Sequence, residues 1–379
     1  MHSFIHSLIH SYSHSFILSI ILPFIRSFFH SFIHSSILPG ANSIHNTPGI
    51  AFQEEVSTSI RRPDESVPVS KKRSIDIPAE SPPTKFQKIN PKFNPPVFTK
   101  TSDNNINKQN NLLSLWKTAR YKFRGDQRFP RYTGFVIQHT QSDRPKTVMT
   151  YLPPIEKPIT DYSTLFEVLH RAEKLSKEAN MKYCHIVMDC GAAMKTFHVI
   201  WNNTTRYSKV LIHLGDFHCM QAFFGVIGQY VTASGFEDIV FQLGLCQPGS
   251  MNALIKGKHY NQAWLIHEAF AEAVTRIFIQ LYLPEIPKKF DNMDCDNVGV
   301  LLDDDEVKKF LNAFNEKFTK GLQGEYGATA QYWLTYVRLV DILQNFHQAI
   351  QTNNFDDRLT AWKSMMPYFF FFNRTHYSR

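Results

Sequence analysis

The sequence predicts an α/β protein with three parts: a disordered N-terminal region, a small strand–helix–strand unit, and a large, mainly helical region after it. Three observations carry this expectation. Two short apolar runs, "YCHIVMD" and "SKVLIHLG", flank "GAAMKTFHVIWNN", whose apolar spacing is helical. Beyond residue 218, long segments keep an apolar face at helical spacing. Residues 41–110 are rich in Pro, Ser, Asn and Lys and hold few large apolar clusters, which is the composition of a disordered linker.

The totals bound the function classes. At 43% hydrophobic and 14% aromatic, the 379 residues can bury a sizeable core, which excludes a wholly disordered chain. The net charge of +8 is unevenly placed. Residues 41–150 hold 18 Lys and Arg against 9 Asp and Glu, whereas residues 151–379 hold 22 against 24. An acidic partner such as DNA is therefore expected at the basic segment 41–150 and not at the body. Five cysteines, an odd number with no CxxC pair, argue against a disulfide framework and a zinc ribbon. Cys184, Cys190, His218 and Cys219 form a possible metal cluster, against the plainer reading of free cysteines as small core hydrophobes.

Residues 1–40 repeat the four-residue unit Ser-Phe-Ile-His, the translation of a tandem TCAT tetranucleotide, and read as low complexity. A membrane helix needs about 20 mainly apolar residues, and here Ser and His recur at every turn with Pro23 inside, so a membrane is not expected as a partner. A secretory or membrane route remains the alternative, with "FILSIILPFI" as the apolar core, although Arg26 follows that core instead of preceding it. The sequons within Asn202–Thr205 matter only on that route. Histidines 2, 6, 10 and 14 share a helical face and can chelate metal as any His-rich tract does.

In the linker, Arg61–Arg62 and Lys71–Lys72–Arg73 resemble a two-part nuclear import signal, so a nuclear location is expected; a solvated charge run is the bland alternative. Residues 111–150 form an entry segment mixing aromatics with Lys and Arg. It suits either contact with nucleic acid or packing of Trp116 and Phe135 on the body. The body, 151–379, opens with a helix carrying Leu165, Val168, Leu169, Ala172 and Leu175, with Asp161 and Ser163 available as caps.

Two strands joined by a helix usually lie parallel through a right-handed crossover. Asp189 and Gly215–Asp216 then share the carboxyl edge, where open α/β sheets bind ligands. Two carboxylates there, with His218 nearby, suit Mg2+ or Mn2+; the alternative is that each Asp caps the helix after it. The aromatic stripes of 260–282 and 328–350 read as core, and His259, His267 and His347 as polar-edge residues. "MDCDNVGVLLDDDE" lacks EF-hand spacing and reads as a solvated loop and helix start.

"HIVMDCGAAMK", a helix, and then "VLIHLGDFHCMQAF" together resemble part of the RNase H-like core of hAT- and Mutator-type transposases. The resemblance implies a small mixed sheet with a large helical insertion. It assigns Asp189 to the second metal-binding Asp and His218 to the His that opens the insertion. Its chemistry would be Mg2+- or Mn2+-dependent phosphodiester transfer on DNA, with Asp216 as a weaker metal partner. A longer likeness runs through "YLPPIEKPITDYSTLFEVL", "ASGFEDIVFQLGLCQPGSMNALIKGKHYNQAW", "TAQYWLTYVRLVDIL" and "MMPYFFFFNRTHYSR". Over most of 115–379 the chain is similar to uncharacterised, mobile-element-like proteins of animals. Relatives of this kind often carry Gly where Asp216 stands, and the family pattern continues past "NRTHYSR", so a truncated copy is expected. No clear first-strand Asp precedes Asp189; "RYTGFVIQHTQSD" offers a strand with Asp143 beyond it. Third-acid candidates are Glu268, Glu325 and Asp341, each also readable as a solvated helix-face residue. The expectation is a transposon-derived, catalytically incomplete relic that binds DNA; the alternative is a non-catalytic nuclear interaction protein.

Overall fold

Short β-rich runs and long apolar-faced segments sort into two kinds of element in the computed structural model, which describes residues 50–54, 103–123, 129–139, 147–152, 154–155, 157–293, 295–374 and 376–377. In chain order these are strand β1 (Ile50–Glu54), helices α1 (Asp103–Lys122) and α2 (Tyr132–His139), strand β2 (Thr147–Tyr151), helix α3 (Tyr162–Glu178), strand β3 (Cys184–Met188), helix α4 (Cys190–Asn202) and strand β4 (Val210–Leu214). Helices α5 (Asp216–Val231), α6 (Phe236–Gln242), α7 (Pro248–Ile255) and α8 (Tyr260–Tyr282) follow. After two 3-10 segments come α9 (Asp305–Leu322), α10 (Ala328–Gln351) and α11 (Phe355–Phe371).

The described residues divide into two compact units, one from 97–141 with 219–379 and the other from 142–218 with β1. In the smaller unit β3 and β4 run parallel, with Cys184 opposite Val210 and Met188 opposite Leu214. The strand–helix–strand expectation holds. Alternation puts Cys184, Ile186 and Met188 of β3, with Val210, Ile212 and Leu214 of β4, on one face. That face packs with Leu165 and Leu169 of α3 and with Ala193 and Val199 of α4. The other face carries His185, Val187, Leu211 and His213.

Two differences from the sequence reading concern β pairing. Ile50–Glu54, inside the stretch read as disordered linker, pairs antiparallel with Thr147–Tyr151. "IAFQE" and "TVMTY" have β-favouring residues, but a pairing across so many residues leaves no local trace. The strands therefore form two separate two-stranded sheets, one antiparallel and one parallel, and no single mixed sheet appears among the described residues. The strand expected in "RYTGFVIQHT" is a helix, α2, because Tyr132, Phe135 and Val136 are buried at a spacing of three and four. Asp143, expected beyond it, lies outside the described residues.

The larger unit is helical. Helix α10 packs against α8, α9, α11 and α2. Its Trp333, Tyr336, Val340 and Phe346 share a core with Phe223, Phe224, Phe236, Phe270, Met365 and Phe369. A second core joins Leu115, Trp116 and Ala119 of α1 and Phe135 of α2 to Phe278, Phe310 and Phe314. The entry segment thus contributes core, and Trp116 and Phe135 do not serve as a stacking platform. In α9, Val307, Phe310, Leu311 and Phe314 make the buried stripe, and the Asp304 carboxylate accepts from the Glu306 and Val307 amides. Helix α5 comes so close to the end of α7 that a Cβ at Gly228 would fall on the Ile255 carbonyl. Cys184, Cys190, Cys219 and Cys246 are buried thiols, packed as small core hydrophobes. No helix among the described residues is long and apolar enough to cross a membrane.

Candidate functional site

Strand register decides what can meet at the sheet edge. With Met188 opposite Leu214, the Gly215 amide donates to the Met188 carbonyl at 2.6 Å, so both chains leave the sheet side by side. Asp189 follows β3 and Asp216 follows Gly215, so the two acids stand at neighbouring strand ends, as the sequence suggested. Asp189 is exposed and in extended conformation, and its Oδ1 accepts from the Ala192 amide at 2.7 Å. That is a helix N-cap, the alternative role weighed for it. Asp216 is half-buried as the first residue of α5, where a carboxylate also complements the helix dipole. His218 is exposed in the first turn of the same helix.

A Mg2+ or Mn2+ centre takes about six oxygens, and the protein must supply carboxylates that converge. Among the described residues no group of three or more His, Cys, Asp and Glu is placed to hold one ion. Asp189 has one oxygen engaged as a cap, so its Oδ2 and the Asp216 carboxylate are the donors that a metal at this edge would use. The import-like residues Arg61, Arg62, Lys71, Lys72 and Arg73 and the histidines of the repeat lie outside the described residues.

The third-acid candidates belong to the helical unit, and two depart from expectation. Glu325 is exposed between α9 and α10, as a solvated acid should be. Asp341 is only 3% exposed, and its Oδ2 receives the Lys117 ammonium at 2.6 Å. Glu268 is also buried, with the Arg131 guanidinium 3.7 Å from Oε2, an ion-pair distance without a hydrogen bond. Beside them Glu272 accepts from Arg276 at 2.7 Å and from Arg120 at 3.3 Å, and Arg276 also donates to the Arg120 carbonyl. Burial pushes the Glu268 carboxyl above the usual range, opposed by Arg131. Burial likewise pulls the Lys117 ammonium down, and the attraction of Asp341 opposes it only in part. The adjoining cavity of about 10 Å3 admits no organic ligand.

His267, expected at a polar edge, is 1% exposed and lies between the rings of Phe224 and Phe236. Its Nδ1 is 3.0 Å from the Tyr336 hydroxyl, and burial lowers its pKa to about 3. The helical pattern of α8 carried a signal for this burial, because apolar residues surround position 267 on every side (Ile266, Ala269, Phe270, Ala271).

Two further histidines lie within the quoted motif strands, "HIVMD" and "VLIHLG", without a role in the motif. His185 of β3 and His213 of β4 sit on the open sheet face with Nδ1 and Nε2 2.9 Å apart. In parallel register His185 is opposite Leu211 and Val187 opposite His213, so the pairing is diagonal and becomes visible only once the strands are aligned.

A family model described as a domain of unknown function (DUF8702) matches residues 131–379. No curated protein and no solved structure matches the chain.

Proposed function

The chain belongs to the DUF8702 family, whose description states no activity, and we propose that it is a transposon-derived protein with an RNase H-like core that no longer cleaves DNA but still binds it. One observation carries this reading: the parallel β3–α4–β4 unit sets Asp189 and Asp216 at one sheet edge, yet Asp189 is a helix cap and no three acids or histidines converge there among the described residues. The placement agrees with the transposase resemblance, and the capping role of Asp189 supports loss of catalysis.

The charge pairing narrows where DNA would be held. Lys117, Arg120, Lys122 and Arg131, all counted in the basic segment, pair with Asp341, Glu272, Asp291 and Glu268 of the helical unit. Among the remaining cations of the segment, the two clusters Arg61–Arg62 and Lys71–Lys72–Arg73 concentrate the most charge and are assigned the phosphate contact; they would also serve nuclear import. Full-length protein tested on labelled duplex DNA across a salt series should bind more weakly as salt rises. Alanine at all five positions should lower affinity and reduce the salt slope by about 0.9 for each phosphate no longer neutralised. Unchanged binding removes the DNA-binding reading. Mn2+-dependent cleavage that disappears in Asp189→Ala replaces the relic with an active nuclease.

A further inference from the structure

The open face of the β3–β4 sheet holds a pair that neither fold ancestry nor DNA binding uses. His185 is exposed and His213 half-buried, and they come from adjacent parallel strands. Their ring centroids are 5.2 Å apart and their planes are inclined by 20°. With the nitrogens at 2.9 Å, that centroid separation leaves only a ring radius at each end. The rings meet nitrogen to nitrogen, edge on, and do not stack face to face. One nitrogen carries the hydrogen and the other offers its lone pair, so the pair already shares a single electrophile, a proton.

We propose that His185 and His213 form a two-imidazole site for a divalent transition-metal ion, Cu2+ above Ni2+ and Zn2+. The 2.9 Å between the nitrogens is that of a hydrogen bond, and it shows that one ion, about 2.0 Å from each nitrogen, can reach both rings once they turn. Imidazole suits all three ions, and Cu2+ stands highest in the affinity order. Metal entry displaces the shared hydrogen and turns each ring so that both lone pairs point to the ion. His185 is exposed and His213 half-buried, so solvent reaches this face and fills the remaining positions. The strands fix the two Cα positions through the register that aligns Cys184 with Val210, so the chelate is partly preorganised.

The test uses the full chain with His2, His6, His10, His14, His30 and His34 changed to Gln, so that the N-terminal repeat does not compete. Cu2+ is titrated against a competing chelator, and electron paramagnetic resonance counts the bound nitrogens. The expected result is one Cu2+ with two imidazole nitrogens, bound roughly tenfold or more weakly in either His185→Gln or His213→Gln, because imidazole count governs affinity here. A second measurement does not depend on any variant at the pair. Cu2+ should protect His185 and His213 from carbethoxylation by diethyl pyrocarbonate, read residue by residue by mass spectrometry. Unchanged affinity in both single variants, or equal modification of both histidines with and without Cu2+, overturns the proposal.

Discussion

The carboxylates singled out in the two units are held in opposite ways. At the sheet edge of the smaller unit, Asp189 is exposed and its hydrogen bond goes to a local backbone amide. In the helical unit, Asp341 and Glu268 are buried and face cations distant in sequence, from α1 and the segment before α2. Sequence position suggested the reverse, since an Asp ending a strand reads as functional and an acid on a long helix reads as solvated. Side-chain chemistry therefore does not reveal burial. What decides it is whether another element brings a counter-charge to the same helix face.

The largest expected effect tests the buried pair. Asp341→Ala leaves the Lys117 ammonium in the core without its partner, and loss of about 3–5 kcal/mol in unfolding free energy is expected from denaturant titration. Replacing both, as Lys117→Met with Asp341→Leu, should recover most of that loss, because the penalty comes from the uncompensated charge. A cost for Asp341→Ala no greater than that of a surface substitution would erase the contrast between the units.

An intermediate effect is pH-dependent and comes from His267. Its folded pKa, about 3, lies below the ordinary value of 6.5. Above pH 6.5 the ring is neutral in both states and contributes no slope. Between pH 6.5 and 3 the unfolded chain binds a proton that the native core refuses, so stability falls as pH falls, by up to about 1.4 kcal/mol per pH unit. His267→Gln should flatten this acid limb in urea titrations from pH 7 to 4. An unchanged limb would mean that other groups govern acid unfolding.

The smallest effect sharpens the other side of the comparison. Asp189→Ala removes one N-cap and should destabilise the protein by about 1 kcal/mol, while Asp189→Asn or Asp189→Ser should nearly restore it. A metal ligand would respond differently, since Ser does not replace a carboxylate in an ion's coordination shell. Thermal melts of the three variants, with and without Mn2+, separate a cap from a ligand.

Local periodicity made much of this fold legible. The β3–α4–β4 unit, α3 and the long helices α8 to α11 follow from apolar spacing within each segment. The elements that escaped were those whose pattern is short or ambiguous. Helix α2 is eight residues long, and its apolar cluster fits a strand as well as a helix until Tyr132, Phe135 and Val136 find a core to face. Strand β1 depends on β2, nearly a hundred residues away. Trp116 shows the same limit, because an aromatic among cations suits nucleic acid and core equally, and only its contacts choose core.

Chain connectivity and strand period already imply the parallel crossover and, through it, the placing of Asp189 beside Asp216, because they leave few other arrangements. The tertiary structure decided everything that needs two distant segments to meet. It put Lys117 on Asp341, enclosed His267 between two phenylalanine rings, and set His185 and His213 nitrogen to nitrogen across two strands. The physical reason is range: period and capping act over a few residues, whereas charge pairing, desolvation and cross-strand geometry depend on which surfaces the folded chain brings together.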